Sequence, residues 1–127
     1  MSVSEILNDC RTAIPDCQLV AFIDLDASMV LSVSSVSKQR QERLDALSAS
    51  ASRLFSMPRV FLAGWLADNG NSSPQVAIVL SMAETTAYVR SETEPREVLC
   101  LCGSPNSPVD AMIKAARSVM SDIGASE

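Results

Sequence analysis

The stretch CQLVAFID, residues 17–24, decides the fold of this chain together with MVLSVSSV, residues 29–36, which follows after LDAS. Both runs are rich in β-branched and aliphatic residues, and the carboxylates and serine between them favour a tight turn, so they predict a β-hairpin. Apolar side chains of the first run would point to both faces of the strand: Leu19 and Ile23 to one, Val20 and Phe22 to the other. Because neither face is polar, the pattern predicts a sheet that is covered on both sides.

Outward from the hairpin, the spacing of apolar residues predicts the remaining elements. Helical spacing covers residues 3–14, a long stretch from residue 39 onward, and residues 109–123. Alternating apolar runs predict three further strands, at 75–82, 85–91 and 97–102, which form an antiparallel meander. The predicted order is αββαβββα, so the fold class is α+β with a single domain over residues 1–127.

The middle helix is the longest, and one apolar stripe runs along it: Leu44, Leu47, Ala51, Leu54 and Phe55. The stripe can extend beyond Pro58 through residues 61–66. Proline lacks a backbone donor and crowds the preceding turn, so we expect either a bend there or a fresh helical segment that Ser56 caps.

Size and composition place the chain among globular proteins. Its 127 residues correspond to one domain, with 47% apolar and 20% charged residues. No apolar run approaches the roughly 20 residues that span a bilayer, which argues against a membrane-inserted protein. Residues 1–14 carry neither a basic leader nor an apolar signal segment, which predicts a cytoplasmic protein with reduced thiols.

The absence of histidine removes several classes of catalytic site. Without imidazole the chain cannot build a Ser-His-Asp or Cys-His triad or a histidine-ligated metal site. Its four glycines are too scattered for a phosphate-binding loop. A net charge of −5 disfavours nucleic acid and anionic membranes as partners. We therefore expect no enzyme activity, no catalytic or metal-binding residue and no cofactor.

Two of the four cysteines lie close together in the last predicted strand. Cys100 and Cys102 share one face of that strand, because side chains repeat every two residues. A structural zinc site usually has four ligands and would also need Cys10 and Cys17 nearby. The pattern favours buried cysteines that act as small apolar residues, and leaves metal or redox chemistry as the alternative.

The long helix carries an excess of positive charge. Residues 38–59 hold five basic side chains against two acidic ones, a local charge of +3. Cations near a helix N-terminus are disfavoured by the macrodipole, so helix stability does not explain them. Docking onto an acidic partner does, and the candidate partner-binding residues are Arg40, Arg43, Arg53 and Arg59. The alternative is an ordinary solvated helix face.

The same helix and one strand also suggest self-association. Small side chains let two helices approach closely, and they lie here away from the apolar stripe, at Ala46, Ala49 and Ser50, beside Arg53. If the strand at 76–80 lies at a sheet edge, its apolar run would leave unpaired amides that a second copy could cover. A homodimer interface through these helix residues and through Val76, Ile78 and Leu80 is therefore expected.

Four segments together resemble a bacterial member of the roadblock family, the relatives of dynein light chains. They are AFIDLDASMVLSVSS (21–35), QERLDALSASASRLF (41–55), VAIVLSMAETTAYVR (76–90) and VLCLC (98–102). The resemblance covers nearly the whole chain, and its motifs contain no catalytic signature. One departure concerns the first hairpin turn, where the family commonly has glycine and this chain has Ser28.

The resemblance implies a five-stranded antiparallel sheet with the long helix on one face and the terminal helices on the other. It also implies a homodimer through the long helix and the adjacent edge strand. Roadblock proteins act as non-catalytic regulators or scaffolds, often for Ras-like small GTPases. The expected partners are therefore a second copy and a small GTPase or other protein.

Two other functions fit the sequence less well. A small-ligand-binding sensory domain would need a pocket between sheet and helix, for which the candidate lining residues are Phe22, Tyr88, Cys100 and Met112. A thiol enzyme would depend on Cys100 or Cys102.

Overall fold

The computed structural model of the protein describes residues 2–56 and 75–126. In chain order the elements are α1 (Val3–Ala13), β1 (Cys17–Asp24), β2 (Met29–Ser35), α2 (Gln41–Ser56), β3 (Val76–Leu80), β4 (Thr85–Arg90), β5 (Glu97–Gly103) and α3 (Val109–Ser126). This order confirms the predicted αββαβββα arrangement. The expected helix geometry around Pro58, and the candidate residue Arg59, lie outside the described residues.

The five strands form one sheet in the order β2-β1-β5-β4-β3, and all neighbours are antiparallel. The predicted hairpin of β1 with β2 and the meander from β3 to β5 are both present. β1 and β5 pair at the centre of the sheet. Among the described strands β2 and β3 are therefore the two edges.

Apolar side chains cover both faces of the sheet, as the double-sided pattern of β1 predicted. Val20 and Phe22 belong to the core under α1 and α3, whereas Leu19 and Ile23 belong to the core under α2. Burying one large apolar side chain contributes roughly 1.5–3 kcal/mol. The expected layers, with the long helix on one face and the terminal helices on the other, are thus confirmed.

The two-sided packing contradicts the pocket expected for a sensory domain. Phe22 and Met112 lie in the core under α1 and α3, and Tyr88 and Cys100 lie in the core under α2. The sheet separates the two pairs, and all four side chains are buried. The expectation that these residues line one pocket was wrong, because Tyr88 and Cys100 are cross-strand partners that face α2, whereas Phe22 of β1 points to the opposite face, where Met112 of α3 packs.

The β1–β2 turn is built without glycine. Ser28 has a φ of 52°, in the left-handed region that glycine prefers. Two serines of α2 hold it, because Ser48 Oγ donates to the Ser28 carbonyl over 3.2 Å and the hydroxyls of Ser28 and Ser52 lie 3.3 Å apart. Asp24 Oδ1 accepts the amides of Asp26 and Ala27. These bonds stabilise the turn and attach it to α2.

Candidate interaction surface

The outer face of α2 is lined with small side chains. Leu47, Ser48, Ala51 and Phe55 face the sheet and are buried. Ala46, Ala49 and Arg53 lie on the opposite side and are exposed. This alternation follows from the helical period, which repeats every three to four residues. The helix thus presents a shallow surface that a second helix could approach closely.

Ser50 differs from the other small residues of the predicted interface. It is half-buried and lies close enough to the phenol of Tyr88 to affect its pKa. Burial raises the pKa of Tyr88 above its usual value, as do the neighbouring thiols of Cys100 and Cys102, and the nearby hydroxyl of Ser50 offsets part of that rise. Ser50 therefore connects α2 to β4 as well as bordering the outer face.

Contacts at the two sides of α2 fix its orientation on the sheet. On one side Ser48 and Ser52 contact Ser28 near β2. On the other side Arg43 Nη2 donates to both oxygens of Glu84, at 2.7 and 2.9 Å, in the β3–β4 turn. Since Ala46 follows Arg43 by about one helical turn, it lies on the side of the outer face nearer to β4 and β3.

The predicted basic residues have different environments. Arg40 and Arg53 are exposed. Arg43 is half-buried, and the hydrogen bonds to Glu84 raise the pKa of its guanidinium further above its usual value. Glu84 neutralises much of the charge that Arg43 would offer to an acidic partner. The positive charge available to such a partner therefore comes from Arg40 and Arg53.

β3 presents an edge with exposed apolar side chains. Leu80 is 70% exposed, Val79 is 42% exposed and Met82 in the following turn is fully exposed. Val76 and Ile78 are half-buried and pack against the core under α1 and α3, not on the α2 face. The sequence reading missed Val79, although strand alternation from Thr86, its partner in β4, places it on the α2 face.

The other edge, β2, is less suited to pairing with another strand. Its register with β1 shifts between Phe22 and Ile23, where Ser32 and Val30 are the partners and Leu31 is the extra residue. A bulge twists an edge strand and interrupts its hydrogen-bonding pattern. The register of β3 with β4 is regular along its length. Of these two edges, β3 is therefore the better template for a further strand.

Two open grooves lie on the part of the surface that the structure describes. One open groove of about 510 Å³ lies between α1 and β2, where serines and Asn8 line it, and another of about 540 Å³ is lined by residues 38–42. Within the part of the chain that the structure describes, no group of three or more cysteine, aspartate or glutamate side chains is placed to hold a metal ion. No helix among residues 2–56 and 75–126 is long and apolar enough to cross a membrane.

Comparison with known proteins finds its matches among solved structures. No family model and no curated protein matches the sequence. A Roadblock/LC7 domain from Streptomyces avermitilis superposes with a TM-score of 0.76 at 13% identity, covering 98% of this chain and 97% of that one. Myxococcus xanthus MglB gives 0.69 at 14% identity, with coverages of 98% and 96%. The gliding protein MglB from Thermus thermophilus gives 0.68 at 15% identity, with coverages of 94% and 89%.

These matches extend over nearly the whole chain and confirm the fold that the sequence resemblance implied. At such low identities they establish architecture alone. The chain has the roadblock fold.

Proposed function

We propose that the protein is a non-catalytic regulator or scaffold that forms a homodimer and binds a protein partner, a Ras-like small GTPase in the first place. The observation that carries this proposal is the apolar edge of β3. Val79 and Leu80 of this strand and Met82 in the following turn are exposed, and β3 pairs in regular register with β4 on one side. An exposed apolar edge is a template for aggregation unless another strand covers it. A second copy of β3 would cover it and would extend the sheet.

The outer face of α2 supports the same assembly. In a dimer that pairs the two β3 strands, the two α2 helices would lie on the same side of the extended sheet. The exposed Ala46 and Ala49 would allow them to approach. The predicted interface at Ala46, Ala49, Ser50, Arg53 and β3 remains a proposal, with Val79 added to it. Ser50 contributes less, because it is half-buried.

The GTPase partner follows from the roadblock resemblance and from charge. The exposed Arg53 lies on α2 and the exposed Arg40 lies just before its first residue. The segment 38–59 that contains both has a local charge of +3, in a chain whose net charge is −5. Such a surface favours an acidic partner and steers its approach. A dimer bound to the switch region of a GTPase would shift its conformational population without performing chemistry. A cytoplasmic location fits this role.

Single substitutions of matched chemistry test the homodimer. Ala49→Glu and Val79→Glu each place a carboxylate in the proposed interface, and Ala111→Glu places one on the exposed surface of α3 as the control. Sedimentation equilibrium should give a dimer mass for the wild type and for Ala111→Glu, and a monomer mass for the two interface variants. A dimer mass in both interface variants would remove the interface from consideration.

The partner is tested by capture of nucleotide-loaded GTPases. Purified protein should retain a small GTPase, identified by mass spectrometry, from lysate that contains a non-hydrolysable GTP analogue or GDP, with one nucleotide clearly preferred. Arg40→Glu and Arg53→Glu should weaken retention, and Lys114→Glu on the exposed face of α3 should not. Equal retention of all proteins, or retention that ignores the nucleotide, contradicts the GTPase assignment.

A further inference from the structure

A polar cluster lies buried between α2 and the sheet. In the register of β4 with β5, Thr86 stands opposite Cys102 and Tyr88 opposite Cys100. All four side chains are buried. Arg43 reaches this cluster from α2, and its other contact is Glu84 at the protein surface. A group of polar and thiol side chains inside an otherwise apolar layer is costly unless its members hydrogen-bond to one another.

Cys102 is the centre of this cluster. Its sulfur accepts from Arg43 Nη2 over 3.8 Å and from Thr86 Oγ1 over 3.9 Å. Cys100 lies on the same face of β5, two positions away. A sulfur that receives two donors, one of them a guanidinium, lies in surroundings that stabilise a thiolate. Cys17 has the opposite role, because its own thiol donates to the Leu19 carbonyl over 3.6 Å.

The pKa shifts of the four cysteines also set Cys102 apart: its pKa is lowered, and the pKa values of the other three are raised. The interaction with the neighbouring Cys100 thiol is the largest cause that lowers the pKa of Cys102. Arg43 and Thr86 lower this pKa as well, whereas burial and Glu84 raise it. Burial raises the pKa of Cys10 to about 12 and raises that of Cys17. The neighbouring Cys102, together with burial, raises the pKa of Cys100.

Five other titratable groups surround Cys102. They are Cys100 on β5, Tyr88 on β4, Arg43 on α2, Glu84 in the β3–β4 turn and Cys17 on β1. Arg43 is the cation among them and Glu84 the carboxylate.

We propose that Cys102 is a modification site that reacts with small peroxides, hydrogen peroxide being the simplest. The thiolate sulfur attacks one peroxide oxygen, so that an S–O bond forms as the O–O bond breaks. Hydroxide leaves with the bonding electron pair and takes a proton from solvent to become water. The sulfur loses two electrons, the peroxide gains them, and the product is a sulfenic acid.

The geometry also predicts the fate of this product. Cys102 is 1% exposed, and the outermost members of the cluster are Arg43 and Glu84, whose side chains are 38% and 33% exposed. A peroxide would therefore enter beside this ion pair. Cys100 and Cys102 lie two positions apart on one strand, where Cα atoms are separated by roughly 6.5–7 Å, at the edge of disulfide reach. The sulfenic acid should thus persist instead of condensing with Cys100.

The wild-type protein provides an internal comparison. After brief exposure to hydrogen peroxide in the presence of dimedone, peptide mass spectrometry should find the adduct on Cys102 in excess over Cys10, Cys17 and Cys100. The rate of adduct formation should rise with pH along a curve whose midpoint lies below 9.0, the ordinary value for cysteine. Labelling of Cys102 that is no faster than labelling of Cys10 would overturn the proposal.

Two substitutions that break the same ion pair separate electrostatics from simple opening of the site. Arg43→Gln removes the cation that lowers the pKa of Cys102, and Glu84→Gln removes the carboxylate that raises it. The rate for Cys102 at neutral pH should fall in the first variant and rise in the second, by up to about tenfold for each pKa unit moved. A change in the same direction in both variants would show that access alone controls the reaction and would refute the role assigned to Arg43.

Discussion

The turn between β1 and β2 offers a sharp test of backbone conformation, because Ser28 is a non-glycine residue with a φ of 52°. The left-handed region costs a residue with a Cβ about 1–2 kcal/mol. Glycine avoids this cost but loses about 0.5–1 kcal/mol of chain entropy compared with alanine. Ser28→Gly should therefore be more stable than Ser28→Ala, with a difference of about 1 kcal/mol.

The comparison of these two variants isolates the backbone. Both lose the hydroxyl that lies 3.3 Å from the hydroxyl of Ser52. Both keep the carbonyl of residue 28 that accepts from Ser48. Their difference in unfolding free energy therefore reports the cost of placing a Cβ at this φ, without a contribution from side-chain hydrogen bonds.

Ala27 supplies the matched control in the same turn, since it is exposed and its φ is not positive. Ala27→Gly should lower the unfolding free energy by about 0.5–1 kcal/mol, the reverse of the sign expected at position 28. Urea unfolding at one fixed protein concentration measures both, because the midpoint of an assembling protein depends on concentration. With an m-value of about 1–3 kcal/mol/M, the expected midpoint shift is about 0.3–1 M. If Ser28→Gly is less stable than Ser28→Ala, residue 28 carries no left-handed strain and the reasoning fails.

Two other predictions concern a close backbone approach and two buried protons. A Cβ at Gly103 would lie 2.2 Å from Ser107 Oγ and 3.1 Å from the Asp16 carbonyl, so Gly103→Ala should lower the unfolding free energy by about 1–3 kcal/mol. Gly124→Ala is the matched control, because a Cβ there meets nothing within 4 Å. This variant should leave the unfolding free energy unchanged or raise it by up to about 1 kcal/mol. Burial raises the pKa of Tyr88 and raises that of Cys10 to about 12. Above pH 9 the folded protein therefore keeps protons that the unfolded chain releases, and the urea midpoint should fall as pH rises from about 9 toward 12. The absorbance of the chain's one tyrosine gives an independent reading, because native Tyr88 should ionise above the pH 10.0 expected for a free phenol and a midpoint at 10.0 would contradict its burial.

Local sequence patterns predicted most of the fold. The two apolar faces of β1 predicted a doubly covered sheet, and the change from a period of two to a period of 3.6 placed the start of α2 and both ends of α3 within a few residues of their observed positions. These signals are local because neighbouring residues decide them. The meander was predictable for the same reason, since short turns separate β3, β4 and β5.

Long-range partners were beyond such patterns. Arg43 pairs with Glu84 across 41 positions of sequence, and this contact depends on how α2 crosses the sheet. For the polar cluster between α2 and the sheet, the sequence predicted only that Cys100 and Cys102 share a face of their strand. Neither Thr86 nor Arg43 has a local sequence feature that points to Cys102. The pocket expected around Phe22 and Tyr88 was wrong because residue type alone does not tell which layer a strand residue enters.

The central position of β1 has a consequence for how the chain folds. β1 is made early, and β2 can pair with one of its edges at once, but the other edge waits for β5 until α2, β3 and β4 have been synthesised. Until then a strand with apolar side chains on both faces has an open edge. Such distant pairing raises the contact order, which slows folding and lengthens the exposure of nascent chains to aggregation. Substitutions in β5 should therefore retard folding more than substitutions in the β1–β2 turn, and chaperone dependence during synthesis should end when β5 has left the ribosome.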